Sequence, residues 1–172
     1  MSFSLYEAVI PTQIQMLQAA QAWIEKAKES SHSESEIVEA RLTDDMLPFA
    51  FQIKSLVSHS VGAVEGVRKG VFSPDLEPAA TELEKMRLNL GAAENTLRAL
   101  SKGEVDSFIG NDMLFVFEQR DIRLPFKAED FLLSFSQPNF FFHATTAYAL
   151  LRAKGLGIGK ADFTGKLRIQ RG

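Results

Sequence analysis

Two histidines carry most of the chemistry this chain can offer. His143 closes the run Gln137-Pro138-Asn139-Phe140-Phe141-Phe142-His143, with Asn139 four residues before it. An imidazole and an amide amid so many phenyl rings must find partners, because an unpaired buried polar group costs about 1–3 kcal/mol. Three roles are open to His143: a buried ring bonded to Asn139, Thr146 or a backbone carbonyl; the polar wall of a small-molecule pocket; or a metal ligand. His59 sits on another helical pattern, about 100° from the centre of its apolar stripe. That angle makes it a half-exposed shoulder residue. Tyr148 is the remaining buried group with acid–base capacity, though a Tyr on a packed helix is more often an anchored core residue. His32, in a Ser- and Glu-rich stretch, reads as solvated.

No complete catalytic motif accompanies these residues. There is no cysteine, and no serine sits in a G-x-S-x-G elbow. Glu65 and Asp130 are available carboxylates, but neither stands in an HEXXH or EXXH spacing. Gly155-Leu156-Gly157-Ile158-Gly159-Lys160 resembles a phosphate loop only superficially. It follows a helix, and Lys160 precedes Ala161 where a Ser or Thr is required. The stretch reads as a helix cap and turn, with Lys160 and Asp162 pinning the tail.

Four long helical patterns must position these residues. The first runs from about Leu5 to Lys28, with Ile10, Ile14, Leu17, Ala20, Ile24 and Ala27 at helical spacing and Pro11 in a first turn or at a kink. A polar connector from Glu29 to Asp45 contains Ser33 and Glu36, a capping-box pattern. The second helix begins near Pro48, carries Phe49, Ile53, Leu56, Ser60, Val64 and Val67, and stops at Gly70. The third shows Leu76, Leu83, Leu90 and Leu97 with Ala79, Met86, Ala93 and Leu100, a heptad seam entered at Pro74–Asp75 and left at Gly103. From Val105 to Phe126 the period shortens to two, predicting a β-hairpin whose Phe115 and Phe117 are core or a ligand lid. The fourth helix spans about Ala128 to Lys154, split or kinked at Pro138, and is apolar nearly all round. A helix of that kind is central or covered by another subunit. The spacing therefore predicts a homodimer through the fourth helix, with Phe141 an outward apolar position. Gly155 ends that helix, and the tail to Gly172 reads as loop with one extended piece.

Composition narrows the function classes. The chain has 172 residues, 45% hydrophobic and 24% charged, with a net charge of −3. The balance fits one soluble globular domain over 1–172. A mildly acidic chain lacks the basic face that nucleic-acid binding requires, so no nucleic-acid partner is expected. The absence of cysteine removes disulfide frameworks, iron–sulfur clusters and thiolate zinc sites. Neither a secretory signal nor a bilayer-spanning apolar run of about 20 residues is visible, and a cytoplasmic protein without membrane attachment is expected. Fourteen Phe against two Tyr and one Trp favour buried packing over a wet recognition surface.

Several segments together resemble a known bacterial family. They are Pro138–His143, Thr146-Ala147-Tyr148-Ala149-Leu150-Leu151-Arg152 and Ile158-Gly159-Lys160-Ala161-Asp162-Phe163, with Val9-Ile10-Pro11, Arg41-Leu42 and Met46-Leu47-Pro48 upstream. The family has no assigned function and is grouped with the DinB/YfiT-like metalloenzyme superfamily. The resemblance implies an all-α fold, an antiparallel four-helix bundle with a small β-hairpin between the third and fourth helices, often dimeric. It also implies, in many superfamily members, three histidines on a divalent metal: one from the second helix and two spaced four apart on the fourth. Here His59 and His143 match, while the position after His143 in that spacing is Ala147.

The expected function is therefore binding of a small molecule in a pocket lined by His143, Asn139, Tyr148 and His59, without a complete metal triad or cofactor. Two alternatives stay open. One is a divalent-metal enzyme, with Zn or Ni on His59 and His143, transferring a thiol or small group. The other is a non-catalytic oligomerisation or interaction module.

Overall fold

The computed structural model describes residues 4–170 and is mostly helical, with one small three-stranded sheet. Met1 to Phe3, part of the segment expected to lack a secretory signal, and the last two residues of the tail lie outside the described residues. Helix α1, Leu5–Lys28, is capped by Ser4, whose hydroxyl accepts from the Glu7 amide. Pro11 lies inside it, past the first turn. Ile10, Leu17, Trp23 and Ile24 on this helix are fully buried. The connector forms a short helix α2, Glu34–Val38, closed by the Ser33–Glu36 capping box.

The second long stretch is not uniform. Helix α3, Phe49–Val57, widens into a π turn at Ser58–Gly62 and continues as α4, Ala63–Lys69. Gly70 ends it at φ 71°, a left-handed conformation that glycine adopts without cost. Strand β1, Val71–Phe72, follows at once. It folds back so closely that a Cβ on Gly66 would meet the Phe72 Cβ at 2.9 Å.

The third helix starts later than the heptad pattern predicts. Helix α5 is Leu83–Ala99, and Leu76 lies in the preceding segment, exposed. Pro78 disfavours helical backbone at Glu77, and Lys54 Nζ takes the carbonyls of both Asp75 and Glu77. The chain over 73–82 is thus held across α3 instead of coiling. Gly103, expected as the helix exit, falls inside a separate short helix α6, Lys102–Asp106.

Strands β2, Asp112–Phe117, and β3, Ile122–Lys127, form the expected hairpin, pairing Met113 with Phe126 and Phe115 with Leu124. The sheet holds one strand more than expected. β1 pairs parallel to β2, Phe72 opposite Phe115. Two residues are too few to show any period.

The fourth long stretch comprises α7, Ala128–Asp130, a second π turn at Phe131–Ser136, and α8, Gln137–Ala153. Pro138 stands at the junction of the π turn and α8, and the backbone stays helical through it, with Ser136 at φ −69° and ψ −48°. Helix α9, Lys160–Thr164, replaces the expected loop. It docks on α1 through Trp23 Nε1 donating to the Asp162 carbonyl at 2.8 Å and the Lys26–Asp162 ion pair at 2.7 Å. His32 is not solvated as predicted. Its Nε2 meets the Lys154 carbonyl at 2.7 Å, serving the C-terminal end of α8.

One hydrophobic cluster runs from Leu5 to Ile158 through all the long helices and the sheet. Among the described residues no helix is long and apolar enough to cross a membrane.

Candidate functional site

The site is built where α3 and its π turn lie against α8. A π turn spreads its rotation over an extra residue, which swings the following side chains around the helix axis. His59, second in the turn, is half-buried at the edge of the apolar stripe, as its angle predicts, and lies against α8. Its ring lies 5.8 Å from that of His143, with the two planes 15° apart. The widened turn is itself held from two sides: Gln13 Nε2, from α1, and Ser136 Oγ, from the second π turn, donate to the His59 carbonyl at 3.2 and 2.8 Å.

His143 is oriented by Gln52, two turns before His59 on the second stretch. The Gln52 amide is 2% exposed, so its atoms must be paired. Its Nε2 donates to the Leu47 carbonyl at 2.8 Å. That bond leaves Oε1 to accept from His143 Nδ1 at 2.7 Å. The proton of His143 is therefore on Nδ1, and Nε2 carries a bare lone pair. Asn139 is placed likewise: its Nδ2 donates to the Phe135 carbonyl at 2.7 Å, leaving Oδ1 as an acceptor.

Both imidazoles are neutral near neutral pH. Burial, and secondarily the neighbouring His143, push His59 down to about 4. Burial alone brings His143 to about 4. Neither Nε2 has a partner among the described residues, and neither is sealed, whereas His59 Nδ1 is sealed and unpartnered.

A cavity of about 220 Å³ opens beside the pair, lined by His59, His143 and Asn139. Phe51, Phe72, Phe115, Phe117 and Phe135 supply the apolar walls. Phe115 and Phe135 pack at 4.8 Å, and Phe72 approaches Phe115 at 6.2 Å, so hairpin, β1 and the fourth stretch close one aromatic box. Lys54 and Asp75, 3.0 Å apart, form the polar rim. A larger groove of about 380 Å³ lies beyond that ion pair, between α3 and α5, and has no titratable lining residue except Lys54 and Asp75.

Of the expected site residues, three come together and one does not. His59, Asn139 and His143 share the cavity. Tyr148 packs instead with Trp23 at 5.7 Å and Phe163 at 5.3 Å, in the α1–α9 contact. It lies five residues beyond His143, about 140° around the helix. Gln52 and the Lys54–Asp75 rim went unread in the sequence. The signal for Gln52 was an amide directly before Ile53 of the apolar stripe.

The donor set does not fit the metal centre that the superfamily resemblance implies. It amounts to two imidazoles and an amide, and Ala147 is fully buried without a donor atom. Among the described residues no group of three or more His, Cys, Asp or Glu could hold a metal ion. Glu65 pairs with Arg68 on the surface, away from the histidines.

The comparisons with known proteins agree with this fold. The family model described as "Domain of unknown function (DUF1993)" matches residues 5–164. The chain belongs to the DUF1993 family. A crystal structure of a DinB family member from Shewanella denitrificans superposes with a TM-score of 0.78 at 20% identity, covering 98% of this chain and 96% of that one. At that identity the likeness speaks for the fold. No curated protein matches the chain.

Proposed function

We propose that this DUF1993 protein is a single-domain, antiparallel four-helix bundle of the cytoplasm that binds a small molecule in the cavity beside His143. His59, Asn139 and His143 provide the polar contacts, and Gln52 sets the direction of His143. The observation that carries the reading is two neutral imidazoles, 5.8 Å apart, on one wall of a cavity walled mainly by phenylalanines. Each keeps an Nε2 without a protein partner. Both atoms open onto the cavity, so water serves them until a ligand with matching polar groups takes its place.

The test is a fragment screen by ligand-observed NMR on wild type and on Phe135→Trp, which fills the cavity. Hits lost in the filled variant support the pocket. Hits bound equally by both, or none at all, overturn it.

A second reading, self-association through α8 into a homodimer, is favoured by Phe142, 56% exposed at the outer side of that helix. The outward residue is Phe142 and not Phe141, which packs edge-on against Phe140 at 5.3 Å. Metal-dependent transfer by His59 and His143 has the weakest support, because two imidazoles leave a tri-histidine set incomplete.

A further inference from the structure

The polar atoms that the cavity leaves free have assigned hydrogen-bonding directions. His143 Nε2 is an acceptor, because Nδ1 gives its proton to Gln52. Asn139 Oδ1 is an acceptor, because Nδ2 is spent on Phe135. His59 presents the opposite polarity. Its Nδ1 is sealed without a partner, and an orphaned buried N–H is rarer than an orphaned acceptor. The proton therefore sits on the accessible Nε2, which donates. The wall offers one donor imidazole facing one acceptor imidazole.

A hydroxyl group satisfies both at once, donating to His143 and accepting from His59. The bent geometry of a hydroxyl oxygen places its two nitrogen partners about 4.5–5 Å apart, a spacing open to edge nitrogens of two rings whose centres lie 5.8 Å apart. Most of the remaining wall is phenyl rings, joined by Pro74, Ser55 and Ser58 and by the Lys54–Asp75 rim, and rings favour other rings at stacked or edge-on contacts. Size sets a further limit. An apolar cavity of about 150 Å³ accepts benzene, so about 220 Å³ holds one ring with a short substituent.

Charged ligands fit less well. The cation near an anionic group would be Lys54, but its ammonium is held by Asp75 and by the Asp75 and Glu77 carbonyls. The anion near a cationic group would be Asp75, which is held by Lys54 in turn. The neutral state of both imidazoles gives no net charge to attract either.

Resting on the pocket reading above, we infer that the cavity takes a small neutral aromatic hydroxyl compound of the phenol type, its oxygen bridging His143 and His59 and its ring among Phe72, Phe115 and Phe135.

The test titrates phenol and anisole, which has an ether in place of the hydroxyl, into the full-length protein by calorimetry or ligand-observed NMR. Phenol is expected to bind at least tenfold more tightly than anisole. In His143→Leu that preference falls to within about twofold, with anisole binding retained. Equal binding of phenol and anisole by wild type overturns the inference while leaving the pocket reading intact. Failure of both probes and of every fragment in the screen removes the pocket itself. Long-range ¹H–¹⁵N spectra of the histidine rings in wild type give an independent reading if His143→Leu does not fold. A proton found on His143 Nε2 instead of Nδ1 overturns the inference directly.

Discussion

Ser136 donates its hydroxyl hydrogen to the carbonyl oxygen of His59 at 2.8 Å, so the last residue of one π turn fixes the backbone of the other. Both irregular turns stand at the cavity, and this bond keeps them in register. Widened turns are frequent at functional sites. Here His59 stands in one widened turn with its ring 5.8 Å from that of His143.

Ser136→Ala removes that donor and leaves Gln13 as the other donor to the His59 carbonyl. Loss of a bond to a buried carbonyl is expected to cost about 1–2 kcal/mol. Urea unfolding measures the cost, and the His59 ring resonances should shift with it. An unchanged midpoint and unchanged spectra would show the bond to be dispensable.

Stability should fall as pH is lowered through the range 6.5 to 4. Both histidines are held near 4 in the fold, against an ordinary value of 6.5. The unfolded chain therefore takes up protons first, and the stabilising contribution, complete above 6.5, drains away as pH drops towards 4. The full shifts amount to about 2 kcal/mol per histidine between pH 7 and 5. Solvent reaching the cavity screens part of this, leaving about 2–3 kcal/mol for the pair. Carboxylates that ion pairs hold below their ordinary values, such as Asp112 beside Lys127 and Glu94 beside Arg98, lose their contribution mainly below pH 5, outside the pH 7 to 5 comparison. Urea midpoints at pH 7 and pH 5 check it, and a flat profile would mean that the imidazoles are already charged or well hydrated.

Gln52→Glu places a carboxylate where an amide now accepts from His143 Nδ1. An adjacent negative charge favours the imidazolium, so the His143 pKa should rise by at least one unit. NMR titration of the ring protons reads it out. Below that raised value the same variant should bind neutral ring compounds more weakly, since a protonated His143 offers no lone pair.

Metal analysis of protein purified without a histidine tag should give well under one equivalent of zinc or nickel. Three protein ligands are the usual minimum for such a centre, and His59 and His143 supply two. One equivalent in wild type, lost in His143→Ala, would restore the metalloenzyme reading.

Gly66→Ala tests the packing of β1. The added Cβ would lie 2.9 Å from the Phe72 Cβ and 3.3 Å from the Met113 side chain. Forcing these apart should destabilise the protein by about 1–3 kcal/mol, visible as a lowered thermal midpoint.

Much of the fold was legible because its helices are long and periodic. Leu5–Lys28 matched its apolar spacing at both ends, and Gly70 marked the end of α4. Leu76 and Ala79 misled because their heptad spacing is real, yet Pro78 and the Lys54 contacts to backbone carbonyls decide the conformation there. The site was half legible. Phenylalanines around Asn139 and His143 announced a buried polar pair. The half-buried shoulder of His59 was legible from regular spacing of about 100° per residue, while the π turn that carries it left no local signal. Gln52 was hidden for another reason: its importance lies in a contact to a residue far along the chain, and no local pattern records that.

β1 leaves α4 directly, and its Phe72 is one wall of the aromatic box, while His59 is another. The chain from His59 to Asp75 therefore runs without interruption from the polar wall, through the sheet, to the rim. Segments joined so tightly open together. Amide hydrogen exchange along this stretch should proceed as one cooperative event, and a bound molecule would slow all of it. Residence time in the cavity would then be set by how often this single segment lets go of β2, not by the motion of any one side chain.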